Sequence, residues 1–188
     1  MRDRYTMEEG YYLLTAGNRL ADGSALVHLE FFAVGADRTA DVPLVLRQSA
    51  QKLSVVGSMD AEAPFLRDGA QAPQALLSAT GRGYFLLAVL GGKDEPTSHA
   101  LREMTAAAPD LNAWGRPVVV LGQARPEGLD HAVFGTDPDG RIRAMLAGPD
   151  AALPLIAVCD SFGRIVYLSK GYNTSLASDL RRVIAQCR

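Results

Sequence analysis

The sequence has no Cys-x-x-Cys pair. Its two cysteines, Cys159 and Cys187, stand far apart. Dithiol–disulfide exchange needs a thiolate stabilised at a helix start, with a second thiol beside it. Cys159 sits inside the apolar run Leu155-Ile156-Ala157-Val158-Cys159 and reads as a buried structural thiol. Cys187 is the penultimate residue, so cysteine usage leaves the redox compartment undecided. Histidine is equally sparse. His28, His99 and His131 lack neighbours at the spacing of a zinc site, so no metal is expected. The formal net charge is −2, which gives no electrostatic reason to expect nucleic acid or an anionic membrane. No apolar run approaches the roughly 18–20 residues of a membrane-spanning helix. The charged start, Met1-Arg2-Asp3-Arg4-Tyr5, is followed by no apolar core of signal-peptide length.

What is present falls into two patterns. Residues 1–57 read as an antiparallel β region, a partial sandwich. Gly10–Thr15 and Ala25–Val34 are rich in strand formers, separated by the turn signal Asp22-Gly23. Asp41–Arg47 predicts a third strand, with Pro43 at a position that donates nothing to a ladder, and Leu53–Gly57 a fourth. So few strands leave one apolar face needing a partner layer. The second domain, another copy of the chain in a homodimer, or upstream strands of a longer parent could cover it, and the last is the expectation.

Residues 58–73, with Pro64, Asp68-Gly69 and Pro73, read as a linker. Residues 74–188 then alternate helix and strand. A short helix over 74–79 precedes Tyr84–Leu90, a continuous apolar run of the kind buried on both faces. A helix from about Thr97 to Ala108 follows, with Pro109 expected to interrupt it. Pro117–Leu121 predicts another buried strand. Ala132–Thr136, the turn Asp137-Pro138-Asp139-Gly140 and Arg141–Leu146 read as a hairpin. Leu155–Cys159 and Arg164–Leu168 form a second hairpin. A last helix runs from about Thr174 to Gln186.

Strand, helix, strand, connection, hairpin, helix resembles the thioredoxin fold. The segment Leu153-Pro154-Leu155-Ile156-Ala157-Val158, followed by Arg164-Ile165-Val166-Tyr167 and Gly171-Tyr172, is similar to the part of that family where a cis-proline opens the fourth strand. The resemblance makes Pro154 the cis-proline candidate, a trans proline starting a strand being the alternative. It also implies a redox motif where this chain has Gly91-Gly92-Lys93-Asp94-Glu95-Pro96-Thr97-Ser98. If Pro96 matches the motif proline, Asp94 and Thr97 occupy the cysteine positions, and neither forms a mixed disulfide. The groove implied by the family is then lined by Lys93, Asp94, Glu95, Pro96, Thr97, Leu153 and Pro154.

A wider likeness covers nearly the whole chain. Glu9–Arg19, Asp22-Gly23-Ser24, Phe31–Val34, Val42–Arg47 and Gly81-Arg82-Gly83-Tyr84 resemble the C-terminal region of bacterial transglutaminase-like proteins. That family implies an upstream papain-like Cys-His-Asp domain, absent from this sequence, and a periplasmic or extracellular setting.

Other chemistry is weakly signalled. Asp137-x-Asp139-Gly140 opens like a calcium loop, but no glutamate closes it. Gly91-Gly92 lacks the lysine–hydroxyl pair of a phosphate loop, and Asp94 and Glu95 repel an anion there while suiting the helix dipole. The expectation is therefore a non-catalytic, redox-inactive accessory module. It would bind a protein or peptide, or support an upstream domain of the same polypeptide, and would use no cofactor. The alternative is a thiol-dependent enzyme, a single-cysteine peroxidase or a reductase-like protein.

Overall fold

The computed structural model describes residues 6–19, 25–36, 42, 47–49 and 53–187. It divides into two compact units, Met1–Gln51 and Lys52–Arg188.

The first unit is a three-stranded antiparallel sheet in the order β1-β2-β3, with β1 Gly10–Arg19, β2 Ala25–Val34 and β3 Arg47–Ser49. β1 pairs with β2 without a break, from Gly10 opposite Val34 to Arg19 opposite Ala25. Side chains alternate between faces, as a pleated strand requires. Tyr12 and Phe32, directly opposite one another, stack with centroids 5.9 Å apart. The turn at Asp22-Gly23 and most of the third strand expected over Asp41–Arg47 lie outside the described residues.

The second unit is a mixed eight-stranded sheet, ordered β4-β11-β10-β7-β8-β9-β5-β6. Its strands are β4 Gly57–Ser58, β5 Pro64–Arg67, β6 Gln74–Ala75, β7 Tyr84–Val89, β8 Val118–Leu121, β9 Ala132–Thr136, β10 Leu155–Asp160 and β11 Arg164–Lys170. Its helices are α1 Leu76–Thr80, α2 Glu95–Trp114, α3 Arg141–Ala147 and α4 Leu176–Ile184. β7, β8 and β9 run parallel, while β10 and β11 are antiparallel additions on the other side of β7. This is the thioredoxin-like α/β arrangement expected from the sequence.

The continuous apolar runs are explained by burial on both faces. Leu86, Ala88, Val118, Val120, Ile156 and Val158 face a core shared with α2 and α4. Phe85, Leu87, Val119, Leu121, Leu155 and Ala157 face the opposite core, closed by Leu76 of α1 and by Ile142 and Leu146 of α3. Each fully buried Leu or Phe contributes about 1.5–3 kcal/mol. Truncating Leu86, at the centre of the sheet, to alanine would cost roughly 2–5 kcal/mol.

Four sequence expectations need correction. Residues 58–73 are not a bare linker, because Phe65 is fully buried and β5 pairs with β9. The strand expected over 53–57 does not join the first sheet, because Gly57 and Ser58 pair with β11. The hairpin expected over 132–146 is absent. β9 pairs in parallel with β8, and residues 141–147 are helical. The Asp137 carboxylate accepts from the N–H groups of Ile142 (3.2 Å) and Arg143 (2.9 Å), so the Asp137–Gly140 turn starts a helix. Nor does Pro109 end α2, which continues to Trp114 because Leu111 is buried in the core. The helix stops at Gly115, whose φ of 66° is the left-handed cap position that favours glycine.

Candidate functional site

The α2 start is a closed hydrogen-bond network. Asp94 is the N-cap, and its Oδ1 accepts from the Thr97 N–H at 2.8 Å. Pro96 occupies the first turn, where no backbone N–H is missed. The Thr97 hydroxyl is buried and accepts from the Gly91 N–H at 3.1 Å. The Thr97 N–H, and then its hydroxyl, hold the Asp94 carboxyl below its ordinary range. The two residues in the expected cysteine positions are thus tied to each other and to the end of β7.

Leu153 meets this network from the other side. A Cβ placed on Gly91 would lie 2.8 Å from Thr97 Oγ1, 2.9 Å from Asp94 Oδ2 and 3.4 Å from Leu153 Cβ. Only glycine fits without displacing a neighbour. The Leu153–Pro154 bond is cis, as the resemblance implied. The Pro154 carbonyl accepts from the Gly171 N–H at 2.8 Å. Asp94, Thr97 and Leu153 therefore converge on Gly91, with Pro154 buried next to Leu153. Pro96 is half-buried, and Lys93 and Glu95 are exposed. Glu95 pairs with Arg102 of the same helix at 2.9 Å.

Sequence reasoning missed three residues beside this corner. His99 of α2 stacks on Tyr172, centroids 4.4 Å apart and planes 21° apart. His99 Nε2 lies 3.0 Å from the Asn173 carbonyl, so that nitrogen carries the proton and donates. Tyr172 follows Gly171, the residue bonded to Pro154, so the pair borders the cis-proline loop. The signal was the Gly171-Tyr172 dipeptide after β11, which carries no hint of a histidine partner 73 positions earlier.

The thiols lie elsewhere. Both are free and fully buried, Cys159 in the α1/α3 core and Cys187 in the α2/α4 core. Burial, reinforced by the charge of Asp160, pushes both thiols up to about 12. Cys159 is five strand positions beyond Pro154, about 17 Å along β10. The Cys187 carbonyl accepts from Trp114 Nε1 at 2.9 Å, at the far end of α2. Thr97 is then about 25 Å away along the helix. Among the described residues no three His, Cys, Asp or Glu side chains gather as a metal site.

No protein-family model matches the sequence, and no curated protein matches it. Solved structures do resemble its fold. A cysteine-to-serine variant of Xylella fastidiosa PrxQ aligns over 71% of this chain and 96% of its own, at 11% identity and a TM-score of 0.50. Xanthomonas campestris peroxiredoxin Q aligns over 66% and 89%, at 12% identity and 0.47. A Chlorobium tepidum protein described as the thiol:disulfide interchange protein DsbE aligns over 72% and 100%, at 16% identity and 0.49. At such identities the likeness is one of fold. It corrects the expectation of a non-enzymatic, redox-inactive accessory module. The similar structures are of proteins named for thiol and peroxide chemistry, not for an accessory role.

Proposed function

We propose that the chain is a thiol-dependent protein, peroxidase- or reductase-like, in which one of its own two cysteines reacts. The observation that carries the reading is the presence of two free thiols in a thioredoxin-like fold. They lie in different cores, so they do not form a disulfide with each other, and the chemistry is of the single-cysteine kind.

In the peroxidase form a thiolate attacks one oxygen of a hydroperoxide. A sulfur–oxygen bond forms, the O–O bond breaks, and the alkoxide or hydroxide leaves and is protonated. A first external thiol then condenses with the sulfenic acid to a mixed disulfide, releasing water, and a second displaces the protein thiolate and leaves with the first as the external disulfide. The geometry limits the rate. With a pKa of about 12, a thiol is ionised in only about one molecule in 10⁵ at pH 7. Reaction is therefore slow in the closed state and needs local opening. Cys187, beyond the end of α4, opens by release of the last turn, whereas Cys159 requires the sheet to part.

The corner formed by Lys93, Asp94, Glu95, Pro96, Thr97, Leu153 and Pro154 is the face on which a protein or peptide substrate of this chemistry would dock. Its distance from both thiols gives it a selecting rather than a reacting part.

Hydroperoxide consumption with a small-molecule thiol as reductant tests the reading. The wild-type chain should turn over slowly, faster at higher pH, and one of Cys159→Ser or Cys187→Ser should abolish turnover. No turnover in the wild type, or full turnover in the double variant, overturns it.

A further inference from the structure

The outer edge of the first sheet is built for pairing. Among the described residues β1 is the edge strand in the order β1-β2-β3, and it is 10 residues long. It contains no proline, and its only charged residue is Arg19 at the last position. Its register with β2 runs from end to end with no bulge. Proteins that keep an edge of this length unpaired usually blunt it with a mid-strand charge, a proline or a bulge. Large apolar side chains on this hairpin face water as well, Tyr11 at 93%, Phe31 at 81% and Leu13 at 48% exposed.

We propose that β1 pairs antiparallel with β1 of a second copy of this chain, about a two-fold axis at Leu14, joining two three-stranded sheets into one. The sequence of the strand is complementary to itself in that register. Tyr11 falls opposite Gly17, Tyr12 opposite Ala16 and Leu13 opposite Thr15. Each bulky residue in the outer half of the strand thus meets a small one across the axis. Odd positions meet odd positions, so the two sheets keep the same face up. Counted on by one position, Glu9, in the bend just before the strand, is level with position 19, so an acidic residue comes in line with a basic one in the sequence. The two-fold makes that pairing twice, once at each end. Moving the axis to Leu13 sets Glu9 against Gly17 and Arg19 against Met7, and moving it to Thr15 sets Arg19 against Tyr11. Only the Leu14 register satisfies both the size pattern and the charges. An aromatic side chain lying across a strand glycine also covers backbone that the glycine leaves bare.

The charges give a test that leaves the strand interior untouched. Sedimentation of the full chain is followed up to about 100 µM for wild type, Glu9→Arg, Arg19→Glu and the double swap, with far-UV circular dichroism confirming equal folding. The wild type should form a concentration-dependent dimer. Each single variant places two like-charged pairs in the interface and should weaken it on the order of five- to tenfold. The double swap should restore it. A wild type that stays monomeric overturns the proposal, as does a dimer indifferent to the single changes or one the double swap fails to rescue.

Discussion

The Glu103 carboxylate of α2 accepts a hydrogen bond from the backbone N–H of Ala177 in the first turn of α4, at 3.0 Å. The α4 N-cap, Ser175, makes no side-chain cap bond of its own. A residue 74 positions earlier thus caps the helix and places a negative charge at its positive end. Glu103→Ala should lower stability by about 1 kcal/mol, and Glu103→Gln by less, since an amide oxygen still accepts. Urea unfolding measures both. No change in the midpoint for either would show that water serves the α4 start equally well.

The contact between Gly91 and the α2 start gives a second pair of variants. Gly91→Ala inserts a methyl group 2.8 Å from Thr97 Oγ1 and should cost about 1–3 kcal/mol. Thr97→Val keeps the shape but leaves the Gly91 N–H without its acceptor, costing a similar 1–3 kcal/mol. Because the two act on one contact, the double variant should cost less than the sum. Additive losses in thermal unfolding would contradict the coupling.

Asp94 sets an acid limit for the α2 start. Its folded pKa lies below the ordinary 3.8, chiefly through the Thr97 N–H. The unfolded chain therefore takes up the proton first as pH falls. The stabilisation is complete above 3.8 and is lost as pH drops through the folded value. Asp94→Asn should remove that part of the acid dependence and leave the curve flatter below pH 3.8. Parallel curves for wild type and variant would refute the assignment.

The thiols set an alkaline limit of the opposite sign. Unfolded cysteines ionise near 9.0, whereas burial keeps the folded ones protonated to about 12. Stability should be undiminished below pH 9.0 and decline between there and about 12. Native labelling by a thiol reagent should be slow at pH 8, with Cys187 reacting before Cys159. Equal, rapid labelling of both would show that the cores open together.

Part of this molecule was legible from residue order alone. Tyr84–Leu90, Pro117–Leu121 and Leu155–Cys159 declared strands buried on both sides, because a strand with two covered faces has no polar alternation to hide it. The missing Cys-x-x-Cys was visible directly, and so were Pro154 and the loop at Asp94 to Thr97. Pairing was not legible. Ala132–Thr136 beside a turn reads equally as half a hairpin or as a parallel strand. What decides is whether its edge meets β8 or the chain that follows, a choice made across the sheet. The Asp137–Gly140 turn had the residues of a hairpin loop, and only the Asp137 bonds to Ile142 and Arg143 show that it starts a helix.

The sequence by itself determined which segments had to be buried, which chemistry has no cysteine pair to perform it, and where a proline opens the β10 strand. The tertiary structure alone decided that Gly91, Asp94, Thr97 and Leu153 share one contact, that His99 stacks on Tyr172, and that both thiols lie in separate cores away from that corner. The physical reason is range. Burial and backbone preference are written into a few neighbouring residues, whereas these contacts join residues tens of positions apart and exist only once the sheet has brought its strand ends together.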